Sequence, residues 1–195
     1  MRKTKITMQL DRAIRHSVIL MQLVFLLPSA FGQVVRLTSK PRPSFRGGNS
    51  LTVTASSTSV SFSLVAQGTA TASSAINISV GAASATATTT TVNVYGFFAS
   101  ATSALTGEHS GAVIPSSAVL GKTTNGLLTS FTPFTQSAPF GGAGAGVKLV
   151  SDPVTFIVGD ITDIPFSLNL EINLAGHVLP ADIYTGTLMV QAQDM

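Results

Sequence analysis

The chain has 195 residues, no cysteine, no tryptophan, 10% charged residues and a formal net charge of +3. The missing cysteine excludes disulfide staples and thiolate metal sites. The basic balance would point to nucleic acid, but five of the eleven Lys and Arg fall at the extreme N-terminus, so that reading is set aside.

Arg2, Lys3, Lys5, Arg12 and Arg15 precede an apolar run from Val18 to Leu27, followed by Pro28-Ser29-Ala30-Phe31-Gly32. A charged region, a short apolar region and small residues at Ala30 and Gly32 have the order of a secretory signal peptide covering residues 1–32, cut after Gly32. The alternative is an uncleaved membrane anchor, which needs about 20 apolar residues to span. Without residues 1–32 the chain holds Arg36, Lys40, Arg42, Arg46, Lys122 and Lys148 against seven acids, a net charge of −1. From Gly47 onward only Lys122 and Lys148 remain, giving −5. The charge logic thus belongs to export and to the arm that follows, and no nucleic-acid partner is expected.

Residues 33–50 carry Lys40-Pro41-Arg42-Pro43 and Gly47-Gly48. Prolines remove ladder donors and glycines loosen the backbone, so this reads as an extended basic arm, able to meet an acidic surface or simply solvated. Residues 51–195 read as one domain. Leu51–Ala55 alternates as a first strand; Val60, Phe62 and Leu64 mark a clearer one; Gln67-Gly68-Thr69 turns the chain; Ile76, Ile78 and Val80 mark a third. Asn77-Ile78-Ser79 matches a glycosylation sequon, but within a strand pattern it is read as a chance match. The Ala/Ser/Thr run from Ala82 to Thr91 fits an edge strand or a loop. Val92 to Phe98 is a stronger strand whose apolar phase changes at Gly96, as at a bulge or where both faces are buried. Its aromatics are read as core.

Thr106–Pro115 reads as a crossing loop. Ser117–Lys122 and Leu127–Phe131 flank Asn125-Gly126, which favours a hairpin turn with positive φ at both residues. Residues 133–146 form a Gly-rich loop, and Val147–Val150 and Val154–Val158 are two short strands around Asp152-Pro153. The clearest pattern ends the chain. Leu168, Leu170, Ile172 and Leu174 alternate with Asn169, Glu171 and Asn173; Tyr184, Gly186, Leu188, Val190 and Ala192 alternate with Thr185, Thr187, Met189 and Gln191. A period of two gives each run a core face, and the two are expected to pair with one another. Pro180 and Asp182 shape the turn into the last strand, and Tyr184 is expected to bury its ring and place its hydroxyl on a backbone partner, as in a tyrosine corner. Repeated strands with turn signals and no sustained helical period predict an all-β fold, an immunoglobulin-like antiparallel sandwich of about eight to ten strands behind a signal peptide.

Chemistry is sparse. Gly121-Lys122-Thr123 lacks the earlier glycine of a phosphate loop, since position 116 is Ser116, and no helix is expected after it. Gly141–Gly146 has no βαβ context for a dinucleotide and reads as a mobile loop, although a run so free of side chains can lie close to a ligand or a partner backbone. Asp160 and Asp163, with Asp152 nearby, offer oxygens to calcium, but turn roles are commoner for Asp beside Gly and Pro. His109 and His177 have no metal-ligand spacing. An enzyme would need them clustered with an Asp around one Ser, and no G-x-S-x-G elbow is present. No catalytic residue, cofactor or metal site is assigned, and the chain is read as a non-enzyme.

The stretch from Leu179 to Leu188, LPADIYTGTL, resembles the last-strand signature of secreted bacterial β-sandwiches, among them chaperone–usher pilins and spore-coat-U-like proteins. It differs in having Asp182 where those proteins place glycine, and in lacking a cysteine pair. VSFSLVAQGTA, ALTG, IPSSAVLG, FTQSAPFGGAGA and LPADIYTGTLMVQAQ also resemble stretches of uncharacterised secreted proteins of acidobacterial type, a likeness that implies a single exported module and no activity. The expected function is therefore a non-enzymatic extracytoplasmic structural, surface or adhesive module, located in the periplasm, at the cell surface or outside the cell, with other subunits or surface components as partners. In the pilin-like version Leu51–Ala55 or Val34–Leu37 completes a neighbour's sheet. The alternative is a carbohydrate-type ligand module using loops 107–117 and 133–146, with Phe131, Phe134 and Phe140 as the available rings.

Overall fold

The computed structural model describes residues 17–24, 35–38, 50–56 and 59–195, the first two spans as backbone alone. The charged region, the expected cleavage site after Gly32 and most of the basic arm lie outside the described residues.

The strands are β1 (Ser17–Val24), β2 (Val35–Thr38), β3 (Ser50–Ala55), β4 (Thr69–Thr71), β5 (Ile76–Ala83), β6 (Thr88–Phe97), β7 (Leu105–Gly107), β8 (Val113–Ile114), β9 (Val119–Thr124), β10 (Thr132–Pro133), β11 (Gly146–Phe156), β12 (Ile161–Asn173) and β13 (Tyr184–Asp194). They form two antiparallel sheets. One runs β11-β6-β13-β1-β2, with β7 continuing beside β13 and β8 paired to β7; the other runs β10-β9-β12-β5-β3, with β4 on β12. The sequence expectation of an all-β antiparallel fold holds. The strands outnumber the eight to ten expected, because β4, β7, β8 and β10 are ladders of two or three residues, too short for any alternation to reveal.

A single apolar core lies between the sheets. The second sheet supplies Ile76, Ile78 and Val80 from β5 and Ile164, Phe166, Leu168, Leu170 and Ile172 from β12; the first supplies Val92 and Val94 from β6 and Tyr184, Leu188, Val190 and Ala192 from β13. These are the period-two sets of the sequence, each with its polar alternates on the opposite face.

The two terminal strands do not pair with each other. β12 lies in one sheet and β13 in the other, and residues 174–183 cross between them. Alternation identifies which face is buried, and two strands facing one core from opposite sides satisfy it as well as two neighbours do. Val60, Phe62 and Leu64 are buried as expected, but their segment joins no ladder. Instead the Ser61 N–H donates to Ser73 Oγ, and the Ser61 carbonyl accepts from the Ser73 N–H.

At Asn125-Gly126 only Asn125 has positive φ, at 60°, and residues 127–131 do not return as a strand. Thr123 holds the loop, its N–H donating to the Leu128 carbonyl at 2.9 Å while its hydroxyl accepts from the Leu128 N–H at 2.9 Å. The Leu127 N–H then reaches across to the Leu149 carbonyl at 2.8 Å. Leu149 lies at a register shift of the β11–β6 ladder, between Lys148 and Val150, so the bulge frees a carbonyl that ties the loop to the other sheet. β11 itself runs unbroken through Asp152-Pro153, where two strands were expected. As the sheet's outer strand it accommodates Pro153, whose nitrogen donates nothing to a ladder.

The phase change at Gly96 reflects burial on both faces of β6. Val92, Val94 and Phe98 join the core, whereas Tyr95 and Phe97 are buried on the outer face beneath Phe140. Phe134 enters the core from the Gly-rich loop, edge to face with Phe98 at 5.3 Å. A Cβ at Gly96 would stand 3.0 Å from the Phe134 ring and one at Gly121 would stand 3.2 Å from it. The ring thus lies between the sheets, with a glycine of each making room. Phe134→Ala is expected to cost about 3–5 kcal/mol in denaturant unfolding, and Phe140→Ala, at a half-buried ring, clearly less.

Candidate functional site

The densest polar cluster is built around Asp182, which is 5% exposed and ends the crossing from β12 to β13. Its Oδ2 accepts from the Ser110 N–H and the Ser110 hydroxyl, each at 2.6 Å, and from the His109 N–H at 3.0 Å. Oδ1 accepts from its neighbour's Ile183 N–H at 2.7 Å and lies 3.0 Å from His109 Nδ1. An ionised carboxylate only accepts, so Nδ1 carries the proton in this contact. The Glu108 N–H adds a bond to the Ile183 carbonyl at 2.8 Å. Together these hold the tip of the β7–β8 hairpin against the crossing. Beside it Tyr184 is fully buried, its hydroxyl donating to the Pro180 carbonyl at 2.9 Å. This is the tyrosine corner expected from the sequence.

The electrostatics follow from the contacts. The Ser110 hydroxyl, then the Ser110 N–H, hold the Asp182 carboxyl well below the usual carboxylate range, with His109 and Ile183 adding to them and burial opposing. Burial raises the Tyr184 phenol, the Asp182 charge adds to this, and the Ser110 hydroxyl opposes it.

His109, Ser110 and Asp182 are the residue types of a hydrolase, but their order in space is wrong for that chemistry. A nucleophilic serine needs histidine between itself and the acid, to take its proton. Here the acid lies between the two, the serine proton is directed at the carboxylate, and the His109 side chain is 80% exposed. What the arrangement can do is anchor a loop. Its signal in the sequence was Asp182 two residues before the corner tyrosine; nothing local linked it to Ser110, 72 positions earlier.

The remaining candidates stay apart. His177 lies in the crossing with its N–H on the Leu174 carbonyl, and is not a partner of Asp182. Asp152 is on β11, Asp163 on β12 and Asp160 in the intervening turn, its N–H on the Ile157 carbonyl. Among the described residues no three His, Asp or Glu gather as a metal site. Gly121, Lys122 and Thr123 lie in strand β9. Asn77 is exposed on β5, its Oδ1 accepting from Ser167 Oγ at 2.7 Å. It borders an open groove of about 460 Å³ whose polar lining is Thr54, Ser56, Ser79, Asn125 and Ser167.

The two loops proposed as a ligand site do meet, through Ser116 Oγ donating to the Gly144 carbonyl at 3.3 Å. Their rings are differently employed. Phe134 is core, Phe140 packs 5.8 Å from Phe97 and 6.1 Å from Tyr95, and only Phe131 and the outer side of Phe140 remain partly open. Gly142 donates to the Phe98 carbonyl at 3.0 Å, and a Cβ there would stand 2.7 Å from the Ala99 carbonyl oxygen. The backbone that the glycines approach closely is the chain's own.

A carboxyl depressed in the folded state contributes stability above its unfolded value of about 3.9 and loses that contribution as pH falls. Thermal stability is therefore expected to decline below about pH 5 in part through Asp182. Asp182→Asn should lower the melting temperature at pH 7 and flatten that acid limb. Gly107→Ala should mimic the loss, because its Cβ would lie 2.5 Å from Asp182 Oδ2 and 2.6 Å from Ser110 Oγ. A melting temperature unchanged in both variants across pH 3–7 would contradict this role.

No protein-family model, no curated protein and no solved structure matches this chain.

Proposed function

We propose that the chain is a non-enzymatic, extracytoplasmic β-sandwich of immunoglobulin-like architecture, a structural, surface or adhesive module that joins its neighbours by strand addition. Export rests on the signal-like order of residues 1–32, and the likeness of LPADIYTGTL to the closing strand of chaperone–usher pilins supports the class. One observation carries the reading. β13 pairs with β6 and β7 on one side, while its other side takes up a strand drawn from before the sandwich, Ser17–Val24, over eight consecutive positions. An edge of this kind supplies main-chain affinity, and its alternate side chains supply fit. Of the two donors considered from sequence, Leu51–Ala55 is the sandwich's own strand β3 on β5, whereas Val34–Leu37 in the arm overlaps β2, whose described pairing is with β1, and is the donor favoured here. Residues 33–195 are expected to run as oligomers in light scattering and to bind a peptide of the arm. A stable monomer indifferent to that peptide would overturn strand addition.

The Ser116–Gly144 contact between the two loops favours a carbohydrate-type ligand module as the second reading. Glycan-array binding abolished by Phe140→Ala would put it ahead, and a blank array would leave the structural reading in place.

A further inference from the structure

Sheet edges are hazards that proteins blunt with proline, charge or cover, and the four edges of this sandwich are treated unequally. On one side β11 carries Lys148, Asp152 and Pro153, and β10 carries Pro133. On the other side β3 reads SLTVTA, and β13 has neither proline nor charge from Tyr184 to Gln193. These two unblunted strands lie beside each other, one from each sheet. Among the described residues the free side of β13 is paired only by β1, from Ser17 opposite Ala192 to Val24 opposite Thr185, and β1 also lies against β3. The segment that covers this seam is the apolar part of the expected leader.

We propose that Ser17–Val24 is a placeholder strand: it closes the β13 edge in the unprocessed chain, and hydrolysis of the Gly32–Gln33 peptide bond opens that edge to the N-terminal arm of a second copy. This rests on the strand-addition reading and adds to it the acceptor edge and the event that opens it. The occupant follows from direction and charge. β2 pairs antiparallel with β1, and β1 antiparallel with β13, so β2 runs parallel to β13. When β1 leaves, the chain's own Val35–Thr38 could slide one lane inward, about 4.8 Å, only into a parallel ladder. An arm arriving from another copy is free to enter antiparallel, the pairing that is more stable per residue. It brings Arg36, Lys40, Arg42 and Arg46 and no acid to a domain that carries −5 from Gly47 onward.

The chain has no cysteine, so introduced pairs report without background. Leu20 and Met189 are register partners, within disulfide reach across a ladder. Full-length chain carrying Leu20→Cys and Met189→Cys is expected to close an intramolecular disulfide and remain monomeric. The exported, processed chain should shift to multiples of the monomer mass. In a mixture of processed chains, one with Leu37→Cys and the other with Met189→Cys, a disulfide should join the two copies. Absence of the Leu20–Met189 disulfide in the full-length chain would overturn the placeholder. Equal oligomerisation of processed and unprocessed chains would overturn control by cleavage. A processed chain that stays monomeric while the full-length disulfide forms would refute strand addition and the second-copy occupant, yet would still establish the leader's place on β13.

Discussion

The constraint on which this fold depends is the passage of the chain from one sheet to the other after β12. The apolar core holds the two sheets together; without a disulfide, hydrogen bonds must hold the end of the crossing to the β7–β8 hairpin of the sheet it enters. A single ionised carboxylate suits that task because it accepts several donors at once, and charge-assisted bonds are stronger than neutral ones. Asp182 collects three backbone N–H groups, from His109, Ser110 and Ile183, together with the Ser110 hydroxyl. An amide side chain would turn a donor towards one of them. Two residues on, the corner tyrosine fixes the same segment from the core side through Pro180. The last strand is thus aimed before it enters its sheet.

A second constraint works between the sheets. Phe134 comes from a loop rather than a strand, yet fills the space between Gly96 of one sheet and Gly121 of the other. The following residues fold over the outer face of β6, where Phe140 covers Tyr95 and Phe97. The glycines between Phe140 and Val147 let that backbone lie directly on the chain at Phe98 and Ala99. Loop composition and strand composition are matched: a strand with aromatics on its outer face needs a lid, and a lid lying so close needs glycine.

What the sequence made legible was burial. Period-two runs in β5, β12 and β13 assigned the inward residues correctly, and Tyr184 was identified as a buried corner, because these properties depend on a residue and its immediate neighbours. Partnership was not legible. Alternation alone makes β12 and β13 look like a pair, yet nothing in alternation separates a neighbour in the same sheet from a strand across the core. Val60–Leu64 shows the same limit, since its side chains follow a strand's pattern while its backbone bonds to Ser73. The Asp182 cluster joins segments more than seventy positions apart, and each half alone reads as ordinary turn chemistry. For Asn125-Gly126, the tertiary bond from Leu127 to Leu149 overrode the local preference for a tight hairpin.

The same distinction bears on the N-terminal apolar run. By composition, Val18–Leu27 reads as the apolar part of an expected leader. As a backbone, Ser17–Val24 forms a strand on the β13 edge, for an uncharged apolar segment satisfies a sheet edge through its main chain whatever else its composition suits. A module that must stay unassembled until it leaves the cell needs its adhesive edge covered while it is being made. Under the proposal made above, a cover placed in a segment that export removes would couple the two events without a further component. Prolines lie on the outer strands β10 and β11, with Gln136 also bridging to Gly146 of β11, whereas the proline-free β13 edge is the one that meets Ser17–Val24.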